Sequence, residues 1–404
     1  MRALPVLSLA SLVFAVGCSA ASSRDDTTFT GGGDDGGLKI SDGEPGGFGD
    51  VDPSTLDPEK DNDGDGYLFA DDCNDGNPLV NPGAYDVAGD GVDNDCNGKI
   101  DDEEQCDDGL ALTSTNANDF AKAMGLCRTA KAGATGKEKT WGVVSAKLTT
   151  TDGAALPGGR QFGIQPSWGS VVKPRGGKSM VVLSTGSART PGQAGYMKPL
   201  DMFLISNTPN ESTPPSGWPR NTAGCPGPSG KTANDSVVLK MVVRVPTNAK
   251  SFTFDFDFYT SEYIDFSCSA FNDTYVAILK SKAPLDPKWG GNISFDTKGN
   301  PINVNSDFFQ VCTPGTSSTG GLKYSCPLGR GELAGTGYDN GSGDKQHGAT
   351  SWLQTRASVV PGEEIEIAFM IWNTSDHILQ SSIVLDNWKW SAEGTTAPVT
   401  DRPK

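Results

Sequence analysis

Residues 50–108 hold twenty aspartates and glutamates, from Asp50 to Asp108, against two lysines, Lys60 and Lys99. That segment nets −18 while the 404-residue chain totals −17, so everything outside it sums to +1. Carboxylates at this density repel one another and keep a chain expanded unless a hard cation neutralises them. Their spacing turns that constraint into a candidate site. Residues 61–72 read D-N-D-G-D-G-Y-L-F-A-D-D. Asp61, Asp63 and Asp65 take the first, third and fifth places of a twelve-residue calcium loop, Gly66 the turn, the Tyr67 carbonyl the seventh place and Asp72 the last. Residues 93–104 repeat the pattern, with Asp93, Asp95 and Asn97, then Gly98, the Lys99 carbonyl, Asp101 and a closing Glu104. The pair predicts about two calcium ions per chain. Pro53, Pro58, Pro78 and Pro82 exclude the helices that flank such loops elsewhere.

The chain opens MRALPVLSLASLVFAVGC. Arg2 and the short apolar run Leu4–Val16 make an export signal too short to cross a bilayer. Ala15-Val16-Gly17-Cys18 resembles the bacterial lipobox, which implies lipidation of Cys18, a membrane partner and an outer-membrane or cell-surface location. Removing Cys18 from nine cysteines leaves eight: Cys73, Cys96, Cys106, Cys127, Cys225, Cys268, Cys312 and Cys326. An even set in an exported chain reads as up to four disulfides. Proximity suggests Cys73–Cys96 and Cys106–Cys127, although ~105 connectivities are open. Residues 19–60, rich in Gly, Asp, Ser and Thr, read as a flexible stalk.

The acidic balance argues against a nucleic-acid partner, because phosphate binding needs clustered basic residues. Only two histidines occur, His347 and His377, both expected in solvated loops, which leaves little imidazole chemistry. No catalytic motif is visible: Gly230-Lys231-Thr232 and Gly177-Lys178-Ser179 lack the first glycine of a phosphate loop. The chain is therefore expected not to be an enzyme.

Residues 61–101 resemble the MopE-type metal-binding motif of bacterial surface proteins. The likeness runs through Asp61-x-Asp63-Gly64-Asp65-Gly66-Tyr67, Asp72-Cys73-Asn74-Asp75, Asn77-Pro78-x-Val80 and Pro82-Gly83-Ala84, and closes with Asp90-Gly91-Val92-Asp93-Asn94-Asp95-Cys96-Asn97-Gly98-x-Ile100-Asp101. Ala88 stands where the family often has a third cysteine, which favours a Cys73–Cys96 pair. The resemblance implies a metal; copper is the alternative, but the segment lacks soft or imidazole ligands, so calcium is favoured.

Downstream, residues 107–128 predict a helix capped by Asn116 or Asn118, with Phe120, Met124 and Cys127 at helical spacing. Then the period changes. Residues 251–258, SFTFDFDF, alternate with four phenylalanines on one face. Further strands are expected at Trp141–Leu148, Met180–Leu183, Val237–Val245, Thr274–Lys280, Ile365–Trp372 and Ile383–Trp390. With Gly- and Pro-rich turns between them, the expectation is a mainly β protein whose C-terminal domain is an antiparallel β-sandwich or jelly roll. Phe254-x-Phe256-x-Phe258, Ser261-Glu262-Tyr263, Phe271-Asn272-Asp273, Val360-Pro361-Gly362 and Val384-Leu385-Asp386-Asn387 resemble the choice-of-anchor L domain, which implies a surface location and no reaction. The expected organisation is signal 1–18, stalk 19–60, metal module 61–105, β-domain 106–391 and a disordered tail 392–404.

Glu262, Asp265, Asn272 and Asp273 form a weaker second cation candidate, with turn chemistry as the commoner role for Asn and Asp. Trp218, Trp289, Trp372, Trp388 and Trp390 are sugar-stacking candidates, with core packing the commoner fate. The reading is a non-enzymatic, lipid-anchored surface protein with calcium-type loops and a β-domain that binds an extracellular glycan or protein. The alternatives are a secreted hydrolase using paired carboxylates such as Glu262 and Asp273, and a copper store.

Overall fold

A computed structural model describes residues 56–102, 104–156, 159–199, 209–339 and 347–403. The signal segment, Cys18 and most of the stalk lie outside them. In chain order come α1 (Ala117–Ala123), β1 (Gly142–Thr149), β2 (Phe162–Gln165), β3 (Met180–Ser184) and β4 (Glu211–Ser212). Next are β5 (Ala233–Arg244), β6 (Ser251–Thr260), β7 (Thr274–Lys280), β8 (Gly315–Thr316) and β9 (Lys323–Tyr324). The last are β10 (Gly348–Ala349), β11 (Leu353–Ser358), β12 (Glu364–Thr374), β13 (Ser381–Ser391) and β14 (Val399–Asp401). One sheet runs β1-β5-β12-β7 with β4 beside β5; the other runs β14-β11-β6-β13-β3-β2 with β10 beside β6. All these pairings are antiparallel.

Period-two patterning builds the core between the sheets. Phe252, Phe254, Phe256 and Phe258 of β6 face Val237, Leu239, Met241 and Val243 of β5 and Ile365, Ile367, Phe369 and Ile371 of β12, all fully buried. Phe254 meets Phe369 edge-on at 4.9 Å, and Phe252 stacks on Trp388 at 4.2 Å. Truncating one of these rings to alanine should cost about 3–5 kcal/mol through lost transfer energy and a cavity.

The polar face of β6 is buried as well. Asp255 and Asp257 are as buried as the phenylalanines. A second apolar layer containing Trp168, Val172, Met180, Tyr338 and Leu333 covers that face. Asp255 accepts from Arg175 Nε at 2.5 Å, Gln354 Nε2 and Asn387 Nδ2, and Asp257 from Tyr259 Oη and Thr350 Oγ1.

Three expectations change. The helix is confined to Ala117–Ala123, capped by Asn116, whose side chain accepts from Asn118 N at 3.2 Å; left-handed Gly125 (φ 95°) follows its end. The tail is not disordered: β14 pairs with β11, and Thr400 is buried. His347 is fully buried, edge-on to Tyr338, and His377 Nδ1 lies 2.9 Å from Asp235 Oδ2. Trp218, Trp372 and Trp388 are core residues, whereas Trp289 and Trp390 are half-buried. Among the described residues, no helix is long and apolar enough to cross a membrane.

Candidate metal centre

Both acidic loops fold on the same backbone scaffold. In the first, Asp61 Oδ2 accepts from Gly66 N at 2.9 Å, Asp63 Oδ1 from Asp65 N at 3.1 Å and Asp65 Oδ1 from Tyr67 N at 2.9 Å. In the second, Asp93 Oδ2 accepts from Gly98 N at 2.8 Å, Asp95 Oδ1 from Asn97 N at 3.1 Å and Asn97 Oδ1 from Lys99 N at 2.8 Å. The fourth position is left-handed in each, Gly64 at φ 82° and Cys96 at φ 59°, as is the sixth, Gly66 at 99° and Gly98 at 87°. Glycine meets that requirement without a Cβ penalty. A Cys73–Cys96 disulfide ties the two loops together. The others join Cys106 to Cys127, Cys225 to Cys268 and Cys312 to Cys326.

Their charge environments differ. In the first loop one oxygen each from Asp63, Asp65 and Asp72 lies within 4.8 Å of the others, and Asp61, Asp63 and Asp75 form an overlapping group. Oδ2 of Asp63, Asp65 and Asp72 are all buried with no hydrogen-bond partner. Among the described residues, no lysine or arginine pairs with any of these carboxylates. Burial first, and the neighbouring Asp65 charge second, push the Asp63 carboxyl up to about 6. Burial is also the largest cause at Asp72, which rises to about 7, and at Asp65. Three converging buried carboxylate oxygens without hydrogen-bond partners are the donor set a hard cation requires. Asp75, buried and accepting from Asn62 N at 3.0 Å, belongs to this centre although the twelve-residue pattern omits it.

The second loop assembles differently. Its converging carboxylates are Asp86, Asp95 and Asp102. Arg128 pairs with Asp95 and, at 3.3 Å, with Glu104, while Lys99 Nζ lies 3.3 Å from Asp102. Glu104 is thus drawn to Arg128 rather than closing the loop. Asp101 turns to the backbone, accepting from Gly89 N at 2.9 Å and Gly91 N at 3.4 Å. Asp86, outside the pattern, gathers Asn94 N at 2.9 Å and Asp102 N at 3.2 Å, and burial raises it to about 6. Sequence spacing does not nominate Asp86, seven residues before the loop, or Asp102, at its tenth place, where the calcium-loop pattern has no ligand.

Tyr67, placed by its carbonyl in the sequence pattern, has a second role through its side chain. It is 1 % exposed, and its hydroxyl donates to the Lys139 carbonyl at 2.5 Å. Beside it, Thr247 N donates to Gly83 O at 2.9 Å, Thr247 Oγ1 to Asn81 Oδ1 at 2.7 Å and Asn248 Nδ2 to Tyr85 O at 2.8 Å. The acidic module therefore sits on the β5–β6 turn. Of the weaker candidates, Glu262 and Asp273 come together, buried, at the ends of β6 and β7. Asn272 flanks them, and Asp265 is exposed.

Two family models match this chain. The MopE-type metal-binding motif matches residues 72–102. The choice-of-anchor L domain matches residues 176–389, more than half of the 404 residues. The chain belongs to the choice-of-anchor L domain family. Its choice-of-anchor L region contains β3 to β12 and most of β13, hence most of both sheets. The two domains and the disulfides fit a surface protein with a metal-binding motif. No curated protein matches the chain. Among solved structures, the enzymatically active domain of bacteriophage CBA120 tailspike protein 4 is similar at 8 % identity and a TM-score of 0.21, over 61 % of this chain and 20 % of that one. The choice-of-anchor L chain thus spans about a fifth of that neighbour, and a likeness this low carries no argument.

Proposed function

We propose that this is a non-enzymatic, exported surface protein, lipid-anchored through Cys18, in which a calcium-class ion in the first acidic loop locks the module onto the β-domain. The buried, partnerless oxygens of Asp63, Asp65 and Asp72 carry the reading. All of these donors are carboxylates, and the nearby sulfurs of Cys73 and Cys96 are held in a disulfide, which favours calcium over copper. An ion there would fix the Asp65 carboxylate that accepts from Tyr67 N, and so hold Tyr67 in its docked position. Arg128 already counters Asp95, so the first loop is the stronger site of the two.

For an extracellular glycan or protein we assign the 790 Å³ cleft between the second loop and β13, lined by Asp86, Glu104, Arg128, Trp141 and Trp390. The paired carboxylates of the hydrolase alternative, Glu262 and Asp273, are 2 % and 1 % exposed and lie outside that cleft.

Calorimetry of the full chain decides the metal. Loss of the tightest calcium-binding event in Asp63→Ala/Asp72→Ala supports the reading. No binding at millimolar calcium, or tighter binding of copper, refutes it.

A further inference from the structure

A second group of acids, two of them buried, lies at the other end of the sandwich from the β5–β6 turn. Glu262 follows β6, Asp273 precedes β7 and Asp376 follows β12, and register brings these strand ends together: Thr260 opposes Ser381, Trp372 opposes Thr274 and Thr374 opposes Ala233. Glu262 is 2 % exposed and Asp273 1 %. Asp273 N donates to Glu262 Oε2 at 3.0 Å, and Ser381 Oγ to Asp273 Oδ2 at 2.6 Å. Among the described residues, no lysine, arginine or histidine pairs with Glu262 or Asp273. Two buried negative charges without a counter-charge need either a shared proton or a cation.

Unpartnered oxygens on residues next to the acids in sequence or strand register discriminate between these. Thr374 N donates to the Asp273 carboxylate, yet the Thr374 hydroxyl, 2 % exposed, has no partner. Asn234 Nδ2 donates to the Asp376 carbonyl at 2.7 Å, and its buried Oδ1 has none. Asn272 Nδ2 donates to Ser269 O at 2.6 Å, which leaves its buried Oδ1 partnerless beside Asp273. The Ser261 hydroxyl, next to Glu262, is buried and partnerless as well. A shared proton satisfies the two carboxylates and none of these acceptors, whereas a hard cation with six to eight oxygen ligands satisfies both sets.

We propose that the β-domain holds its own buried calcium-class ion, with Glu262 and Asp273 as charged ligands and side-chain oxygens of Asn272, Thr374 and Asn234 completing the shell. Asp376 supplies a third charge at its rim. Exposed Asp265 takes no part. The site is independent of the acidic loops.

The test uses the full chain carrying Asp63→Ala, Asp72→Ala and Asp95→Ala, so that the loops are disabled. After dialysis against chelator, elemental analysis should find about one calcium per chain in this protein, with native far-UV circular dichroism. Adding Glu262→Gln and Asp273→Asn should bring the metal to background, and adding Asp265→Asn should leave it unchanged. Should the Gln/Asn variant fail to fold, a calcium indicator present during guanidinium unfolding of the loop-disabled protein reports instead. Release must coincide with loss of the β-sheet signal. A folded, loop-disabled chain without stoichiometric metal overturns the proposal in favour of the shared proton, and loss of metal on Asp265→Asn overturns the ligand assignment. The difference in metal content between wild type and loop-disabled protein reports the loops separately.

Discussion

Gly83→Ala should undock the acidic module while leaving the β-domain folded. A Cβ at position 83 would lie 2.2 Å from Tyr67 Oη and 3.0 Å from Thr247 Cγ2, well inside the roughly 3.5–4 Å at which carbon and its neighbours attract. Gly83 is not in the left-handed region, so the effect is steric rather than conformational. If Tyr67 is merely displaced, the loss is its bond to the Lys139 carbonyl, about 1 kcal/mol. Full expulsion would also forfeit the burial of a ring that covers roughly 150–250 Å². At about 25 cal/mol per Å² that is ~4–6 kcal/mol, an upper bound because the unfolded chain already hides part of this surface. Hydrogen exchange resolves the outcome by region. Amides of residues 56–102 should lose protection by at least about tenfold, the exchange equivalent of ~1.4 kcal/mol, while those of β5 and β6 keep theirs. Tyr67→Phe removes the clashing oxygen, so the Gly83→Ala/Tyr67→Phe double variant should be less damaged than the sum of the single changes. Unchanged protection in Gly83→Ala would show that Tyr67 does not dock the module. An equal fall in both regions would show that module and sandwich unfold as one unit.

The remaining predictions address the loops, pH and the anchor. Asp72→Asn should weaken calcium binding by about tenfold or more, since it removes a charge from the cluster, whereas Asp101→Asn, which touches only the Gly89–Gly91 turn, should leave the affinity unchanged in the same calorimetric titration. Burial raises the Asp386 carboxyl to about 7, against donation from Gly176, Arg175 and Asn387 backbone N–H groups. Because its folded value lies above the unfolded one of about 3.9, this residue's contribution to stability is complete below about pH 4 and is lost as pH rises through 7. Roughly three units at 1.36 kcal/mol each bound the effect at ~4 kcal/mol, and Asp386→Asn should flatten urea midpoints measured across that window; a slope unaltered by the substitution would refute the assignment. Cys18→Ser should shift the protein from the membrane to the soluble fraction, and a wild-type protein found wholly soluble would contradict the lipid anchor.

What could be read in the sequence was local. Four carboxylates at calcium-loop spacing locate the first centre, because Asp61, Asp63, Asp65 and Asp72 are brought together by a single turn. Asp75 was within reach of the same reasoning, as it lies three residues past Asp72. The second loop defeats the pattern, since its structure depends on Asp86 upstream and Arg128 downstream. Likewise, SFTFDFDF announces a strand with an apolar face, but burial of Asp255 and Asp257 depends on Arg175 and Thr350, 80 and 93 residues away. The helix shrank for a local reason that was visible: Gly125 stops it on one side, and the Asn116 cap starts it on the other.

β14 matters beyond its three residues. It lies at the margin of the larger sheet, where Val399–Asp401 match Arg356–Gln354 of β11. Thr400 Oγ1 meets Thr355 Oγ1 at 2.9 Å, and Arg402 donates to the Phe308 and Thr350 carbonyls. A domain cut at residue 391, the boundary expected from strand patterning, would keep every core phenylalanine and still expose the ladder groups of β11 to any passing chain. Open strand margins of this kind template intermolecular pairing. The hazard of such a truncation is therefore self-association rather than unfolding: a fragment ending at 391 should elute as oligomers with native β-sheet content, while one retaining Arg402 stays monodisperse.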